Sequence, residues 1–286
     1  MRVGVLGPEG TFSQMAAEQY ARRRHLNFQF FYFPDLARVM KALVQDQVEL
    51  AIVPVENSQE GSLSTTLDFL LWQDGVQIQD EEVLAVRHWL WGKPGTRLDQ
   101  ISAVLSHHQA LAQCQGWLNR RLPQAIKVLT TSTSEACAKV AKSEESLAAI
   151  AAPVAGAAYG LEALAEDLQD NKNNATRFLV LGKGSQSLRP QPGEKWKTSI
   201  AFGTPHEPGA LYRALEPLAR QGLNLCKIES RPAKRKLGEY IFLVDIEGCS
   251  LEPGPVSQGL IELMGRAAWV KMLGCYPAAP GGGEDE

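Results

Sequence analysis

The strongest constraint on this chain is an alternation of short apolar runs with helix-compatible stretches. Residues 3–6 (VGVL) form an apolar run that stops at Gly7-Pro8. A segment suited to a helix follows from Phe12 to about Tyr20, and residues 28–33 (FQFFYF) are aromatic and strand-like. Asp35 is then a candidate N-cap ahead of Leu36, Val39, Met40, Leu43 and Val44, whose i, i+3, i+4, i+7, i+8 spacing is an amphipathic helical stripe. Residues 49–53 (ELAIV) read as another buried strand. Strand, helix, strand, helix, strand in this order predicts an α/β layer with a mostly parallel sheet.

A second α/β unit follows. Residues 76–91 mix strand-like runs with Trp89 and Trp91, and 101–105 (ISAVL) read as a strand. Residues 108–121 predict a helix with Leu111, Cys114 and Leu118 on one face. Strand at 126–130, helix at 133–142, strand at 147–151, an Ala/Leu-rich helix over 153–168, a polar loop at 171–174 and a closing strand at 177–181 complete the unit. Breakers then cluster at 182–196, which places a linker there. Beyond it the pattern restarts as strand, helix, strand, strand, helix and strand between residues 198 and 275. This βαββαβ order is that of a ferredoxin-like unit. The Gly/Pro-rich tail at 277–286 is expected to be disordered.

A length of 286 residues suits roughly two domains. With 29 basic and 32 acidic residues the net charge is −3, which argues against a broad nucleic-acid footprint. The run from Arg231 to Lys236 sits between two strands without interleaved aromatics and reads as a solvated hairpin loop. Arg22–Arg24 suit a helix C-terminus. Five widely spaced cysteines with no CxxC support neither a disulfide framework nor a zinc site. They read as reduced thiols, mostly buried, in a cytoplasmic protein. The N-terminus has neither a signal-peptide core nor a membrane span, so no membrane partner is expected.

Polar clusters sit where apolar strands end, which is where open α/β sheets bind ligands. After the first strand, Thr11, Phe12 and Ser13 offer hydroxyls and helix-end amides to an anion, or simply cap a helix. After strand 49–53, Glu56, Asn57 and Ser58 form a longer polar stretch than a turn requires. Ser106-His107-His108-Gln109 follows strand 101–105. Its paired histidines lack a further ligand at metal spacing, so no metal is expected, and Gln109 is a candidate ligand contact. Ser132 and Thr133 form an N-cap with a hydroxyl available to a cleft. Arg177, beside Thr176 and Phe178, has the planar fork that binds a carboxylate, although an arginine so placed is, taken alone, more often part of a structural ion pair.

Together these segments resemble the prephenate dehydratase family over nearly the whole chain. The residues that carry the resemblance are GPEGTFSQMAA (7–17), VPVENSQEGS (53–62), SHHQAL (106–111), TSTSEACAKVA (131–141), AAYGL (157–161), NATRFLVL (174–181), GALYRAL (209–215) and NLCKIESRP (224–232). One departure is His108, where the family usually carries proline. The resemblance implies an α/β catalytic domain over 1–182, two-lobed like a type II periplasmic binding protein. Lobe one would be about 1–77 and 165–182, and lobe two about 78–164. It further implies a linker at 183–195, a ferredoxin-like ACT regulatory domain at 196–278 and a tail at 279–286. No chorismate mutase segment precedes Met1, which suggests the monofunctional type.

The implied activity is decarboxylating dehydration of prephenate to phenylpyruvate, without a cofactor and with feedback inhibition by phenylalanine. Thr176 would donate to the departing hydroxyl, with Glu56, Asn57 and Ser58 beside it. Thr11, Phe12, Ser13, Gln109, Ser132, Thr133, Arg177 and Phe178 would bind substrate. The amides of Thr11–Ser13 and Arg177 would hold the pyruvyl carboxylate, and Phe178 would line a less cationic spot for the ring carboxylate. Phenylalanine would meet Gly209, Ala210 and Leu211 at a helix start, with Asn224, Leu225, Glu229, Ser230 and Arg231 nearby, at an interface of a homodimer or homotetramer. The alternatives are an arogenate dehydratase and a cytoplasmic amino-acid sensor without catalysis.

Overall fold

A computed structural model describes residues 1–184, 190, 193–233 and 239–279. Residues 280–286 of the tail, 185–189, 191 and 192 of the linker and Lys234–Lys236 of the basic run lie outside the described residues, whereas Pro277 ends the last strand and the Ala278 amide donates to the Lys195 carbonyl at 2.8 Å, so the disorder expected from residue 277 does not begin there. The first sheet begins with β1 (Arg2–Leu6), α1 (Phe12–Arg23), β2 (Gln29–Phe33), α2 (Leu36–Val44) and β3 (Leu50–Asn57). Asp35 caps α2, its carboxylate accepting from the Arg38 amide at 2.8 Å, and Val39, Met40, Ala42 and Leu43 are the face α2 buries. β1 pairs in parallel with both β2 and β3, as the apolar runs predict. A short β4 (Gly61–Ser62) folds back on β3, and α3 (Ser64–Trp72) leads to β5 (Val76–Ala85).

The second sheet contains β6 (Trp89–Gly92), β7 (Ala103–Ser106), α4 (His108–Gln113), α5 (Gln115–Arg121), β8 (Ile126–Leu129), α6 (Thr133–Lys142), β9 (Leu147–Ala151) and β10 (Glu162–Ala165). Its order is β10-β6-β9-β7-β8. β9 is apolar throughout because both its faces are covered. Ala148 and Ile150 join a core with Leu111, Cys114 and Leu118, while Ala149 and Ala151 join one with Ala136, Cys137 and Val140.

Two expectations fail here. The helix expected over 108–121 breaks at Cys114, because the Asp170 carboxylate accepts from the amides of Gly116 and Trp117 at 2.8 and 3.1 Å and caps α5 afresh. The helix expected over 153–168 is a single 3-10 turn at Ala157–Tyr159 followed by β10. Gly160 takes a left-handed conformation (φ 67°) that ends the turn, and β10 then pairs with the edge of β6.

β11 (Ala175–Lys183) returns to the first sheet, whose order is β2-β1-β3-β11-β5. The chain therefore crosses between sheets after Ala85, later than residue 78, and returns between Ala165 and Ala175. The two crossings are bonded to each other. The Val86 amide donates to the Asn174 carbonyl and the Leu168 amide to the His88 carbonyl, both at 2.8 Å.

The C-terminal elements are β12 (Trp196–Gly203), α7 (Ala210–Arg220), β13 (Leu225–Pro232), β14 (Tyr240–Glu247), α8 (Pro255–Met264) and β15 (Trp269–Pro277). The antiparallel order β13-β14-β12-β15 is the expected ferredoxin-like arrangement. Ile200, Phe202, Val244 and Ile246 on one face pack against Ala214 and Leu218 of α7 and Val256, Leu260 and Leu263 of α8. By packing, the chain divides into two compact units. One is Met1–Leu63 with Glu82–Phe178, and the other is Ser64–Glu81 with the described residues from Leu179 onward. The second unit thus combines α3 and most of β5 with the C-terminal sheet. Gly274 of β15 makes this packing possible, since a Cβ there would stand 2.3 Å from the Ile78 carbonyl oxygen.

Candidate active site

Within the first unit, a cavity of about 440 Å³ opens at the ends of β1, β3, β7 and β11. That is within the usual range for a small-molecule site. Thr11, Phe12, Ser13, Asn57, Gln109, Ser132, Thr133, Thr176 and Phe178 all line it, so nine of the candidate residues converge on one space.

Thr176 is the best-organised of them. β3 and β11 lie side by side, and the polar residues at their ends stitch them together. The Asn57 amide nitrogen donates to Thr176 Oγ1 at 2.9 Å and to Asn174 Oδ1 at 3.0 Å. The Asn57 side-chain oxygen is fixed in turn, accepting from the amides of Gln59 at 2.9 Å and Glu60 at 3.2 Å. Ser58 accepts from the Ala175 amide at 3.0 Å and donates to Asn174 Oδ1 at 3.2 Å. Ser58 therefore supports the strand junction instead of facing the cavity. Because Thr176 Oγ1 already accepts a hydrogen bond, the hydroxyl's own hydrogen is available to a ligand.

Two helix N-termini reach the same cavity, α1 from one sheet and α6 from the other. Thr11 caps α1, accepting from the Gln14 amide at 3.4 Å while donating to the Leu6 carbonyl at 2.9 Å. Ser132 caps α6, accepting from the Glu135 amide at 3.0 Å. Each cap leaves first-turn amides with no helical partner, the arrangement that favours anions. Glu135 reinforces the second cap by accepting from both the amide and the hydroxyl of Thr131, at 2.7 and 2.6 Å. Those bonds and Lys139 hold its carboxyl down at about 2. Among the described residues no lysine or arginine lines the cavity.

Arg177 and Glu56 stand elsewhere. Side chains alternate along a strand, so Arg177 points away from the face shared by Thr176 and Phe178, and Glu56 points away from that of Asn57. The two pair with each other at 3.9 Å. The expectation of a substrate-facing Arg177 with Glu56 beside the reacting atoms is corrected accordingly. The cavity instead includes groups that the sequence did not single out: Glu60, which accepts from Gln109 across the space, and His88 and Gln113. His88 is buried and bonded through Nε2 to Gln113 at 2.8 Å. Burial lowers its pKa, and the Gln113 bond offsets this in part, so the ring is neutral near pH 7. No spacing rule finds His88, because it sits in a crossing segment. His108 occupies the first position of α4, where proline is favoured but not required. Among the described residues no group of histidine, cysteine and carboxylate side chains could hold a metal.

In the second unit, a cavity of about 230 Å³ is lined by Gly209, Ala210 and Leu211 at the start of α7, with Tyr240 and Phe242 of β14. Asn224, Leu225, Glu229, Ser230 and Arg231 do not line it. The Arg231 guanidinium is taken up by Asp68 at 2.8 Å, Ser64 at 3.2 Å and Glu229 at 3.3 Å. This removes Arg231 as a ready carboxylate ligand.

Fold and site together define a two-lobed α/β enzyme class whose cleft lies between two sheets, extended by a ferredoxin-like sheet. The family model for prephenate dehydratase matches residues 3–186. The chain is 39% identical to the bifunctional chorismate mutase/prephenate dehydratase of Neisseria gonorrhoeae, over 98% of this chain and 75% of that one. It is 34% identical to the prephenate dehydratase of Lactococcus lactis subsp. cremoris, over 96% and 97%. The crystal structure of a prephenate dehydratase from Arthrobacter aurescens in complex with L-Phe matches with a TM-score of 0.86 and 31% identity, over 96% of this chain and 89% of that one. The chain belongs to the prephenate dehydratase family.

Proposed function

We propose that the cleft converts prephenate to phenylpyruvate, making the chain a carbon–oxygen lyase of phenylalanine biosynthesis. In this reaction the ring carboxylate leaves as carbon dioxide, and the electron pair of the broken carbon–carbon bond enters the ring. The carbon–oxygen bond to the ring hydroxyl breaks, and that oxygen takes up a proton and leaves as water. Aromatisation supplies the drive, so the enzyme's task is to stabilise the departing oxygen. The observation that carries the reading is the Asn57–Thr176 bond. An amide donor on Thr176 Oγ1 polarises the hydroxyl and aims its hydrogen at the ligand, and Thr176 regains a proton from water.

Prephenate carries two carboxylates, and the cavity offers two helix N-termini. The amides at Phe12–Ser13 and Thr133–Ser134 suit one each. Dipolar amides hold a carboxylate without the full charge of a guanidinium, so the ring carboxylate can lose its charge at a smaller penalty in the transition state. Phe178 and Val86 supply apolar wall. Neutral His88, bonded to Gln113, adds no cation.

The ferredoxin-like sheet is read as an ACT domain that binds phenylalanine at Gly209–Leu211. Support comes from the cavity at the N-terminal end of α7 and from the Arthrobacter relative bound to L-Phe. Phenylalanine would inhibit by favouring a less active state. The residues at Asn224–Leu225 and Ser230 would then serve a second copy's cavity in an even-numbered oligomer, in a cytoplasmic enzyme. No helix among the described residues is long and apolar enough to cross a membrane.

The test is turnover of prephenate against arogenate, each with and without phenylalanine. Faster prephenate turnover that phenylalanine suppresses is the expected result. A preference for arogenate would change the substrate, and binding of phenylalanine with no turnover of either would leave only a sensor.

A further inference from the structure

We propose that Cys249 and Cys275 are a dithiol that closes to a disulfide on exposure to a hydroperoxide. Their sulfurs lie 3.2 Å apart in the reduced chain. A disulfide needs about 2.05 Å, so closure asks for roughly 1 Å of movement, within reach of small side-chain rotations. The backbone already holds them in register. The Gly248 amide donates to the Trp196 carbonyl at 2.8 Å, and the Thr198 hydroxyl donates to the Gly248 carbonyl at 2.9 Å. Thr198 is in turn the β12 partner of Cys275 on β15. One strand therefore clamps both cysteines.

The other three cysteines differ. Cys114 and Cys137 are buried, with their thiols pushed up to about 12 by desolvation. Cys226 is exposed and its thiol donates to the Asp245 carbonyl at 3.4 Å. Of the pair, Cys249 is half-buried and Cys275 is 7% exposed, so oxidant reaches Cys249 first.

The chemistry balances with a hydroperoxide as the sole oxidant. The Cys249 thiolate attacks the peroxide, the O–O bond breaks, and a sulfenic acid forms with release of an alcohol (water from hydrogen peroxide). Cys275 sulfur then attacks Cys249 sulfur, and the S–S bond forms as the sulfenic oxygen leaves as water with the Cys275 proton. Two thiols are oxidised and one peroxide is reduced. Burial first, and then the bond to Cys275, push the Cys249 thiol up to about 11, while the Leu251 amide lowers it and Glu252 adds to the rise. The thiolate fraction therefore rises about tenfold per pH unit near neutrality, and closure should accelerate with it. The link would tie the segment entering α8 to β15.

The test treats the reduced full chain with hydrogen peroxide at about pH 7.5 and about pH 8.5, followed by alkylation and peptide mapping. The expected result is a mass lower by two hydrogens and a cross-linked peptide pair joining Cys249 to Cys275. Alkylatable thiols in the denatured chain should fall from five to three, faster at the higher pH, with full recovery on reduction by dithiothreitol. Cys249→Ser should abolish the cross-link. A link between other cysteines or between chains would overturn the proposal. So would Cys249 advancing to sulfinic acid while Cys275 stays a thiol. The wild-type map decides the matter even where a variant folds poorly.

Discussion

The cleft and the face of the C-terminal sheet opposite its helices use polar groups in opposite ways. The cleft is lined by hydroxyls, side-chain amides and the N-terminal ends of two helices, and its nearby Arg177 is turned away onto Glu56. The sheet face is built on full charges in pairs. Lys197 meets buried Glu81 at 2.6 Å, Arg231 meets Asp68 at 2.8 Å, and Lys271 meets Asp74 at 3.1 Å just past the end of α3. A site that must let a carboxylate leave as neutral carbon dioxide gains from dipoles that do not over-stabilise the charge. A packing surface gains from charges that fit only one partner arrangement. The same residue types are legible in the sequence for both regions, but only strand alternation assigns them to one or the other.

The contrast can be broken most strongly at Thr176. Thr176→Ala should lower kcat by about two to four orders of magnitude while leaving KM within a few-fold, the result expected of a hydroxyl that acts on the departing oxygen. Equal damage to both parameters would make Thr176 a binding group. Next in size is Glu81→Ala, which leaves Lys197 without its buried partner. Breaking such a pair costs about 3–5 kcal/mol, read as a lower urea midpoint. Lys197→Ala on top should cost less than the two single losses combined, because the orphaned charge is then gone.

The smallest effect belongs to Glu135. Its folded pKa lies below the unfolded value, so its contribution is present above about 4.5 and is lost as pH falls toward about 2. Glu135→Gln should lower Tm slightly at neutral pH, with the difference shrinking by about pH 3. A difference that persists unchanged in acid would remove the charge from the cap of α6.

Much of this arrangement was legible in the chain itself. Helix 133–142 and strand 147–151 match at both ends, because a Ser cap and an unbroken apolar run mark them locally. The Ala/Leu content of 153–168 suits a helix, but a left-handed Gly160 and the open edge of β6 decide otherwise. The break at Cys114 depends on Asp170, more than fifty residues away, which no local pattern reveals. In the site, clusters at strand ends point to Thr11, Asn57 and Ser132, whereas Thr176, at the start of β11, is singled out by the family resemblance. Arg177 and Glu56 sit beside cavity residues in sequence yet pair on the opposite faces of their strands, an alternation that adjacency in sequence hides. His88 carries no signal in the sequence, because a crossing segment has no periodicity.

With Arg177 turned onto Glu56, the proposed binding of a dianion in the cleft should not need its guanidinium. Calorimetric titration of prephenate into Thr176→Ala, and into the same variant carrying Arg177→Gln, tests it without turnover. The two dissociation constants should agree within about threefold, under 1 kcal/mol. A loss of tenfold or more with Arg177→Gln, about 1.4 kcal/mol, would put the guanidinium on the substrate and contradict that expectation.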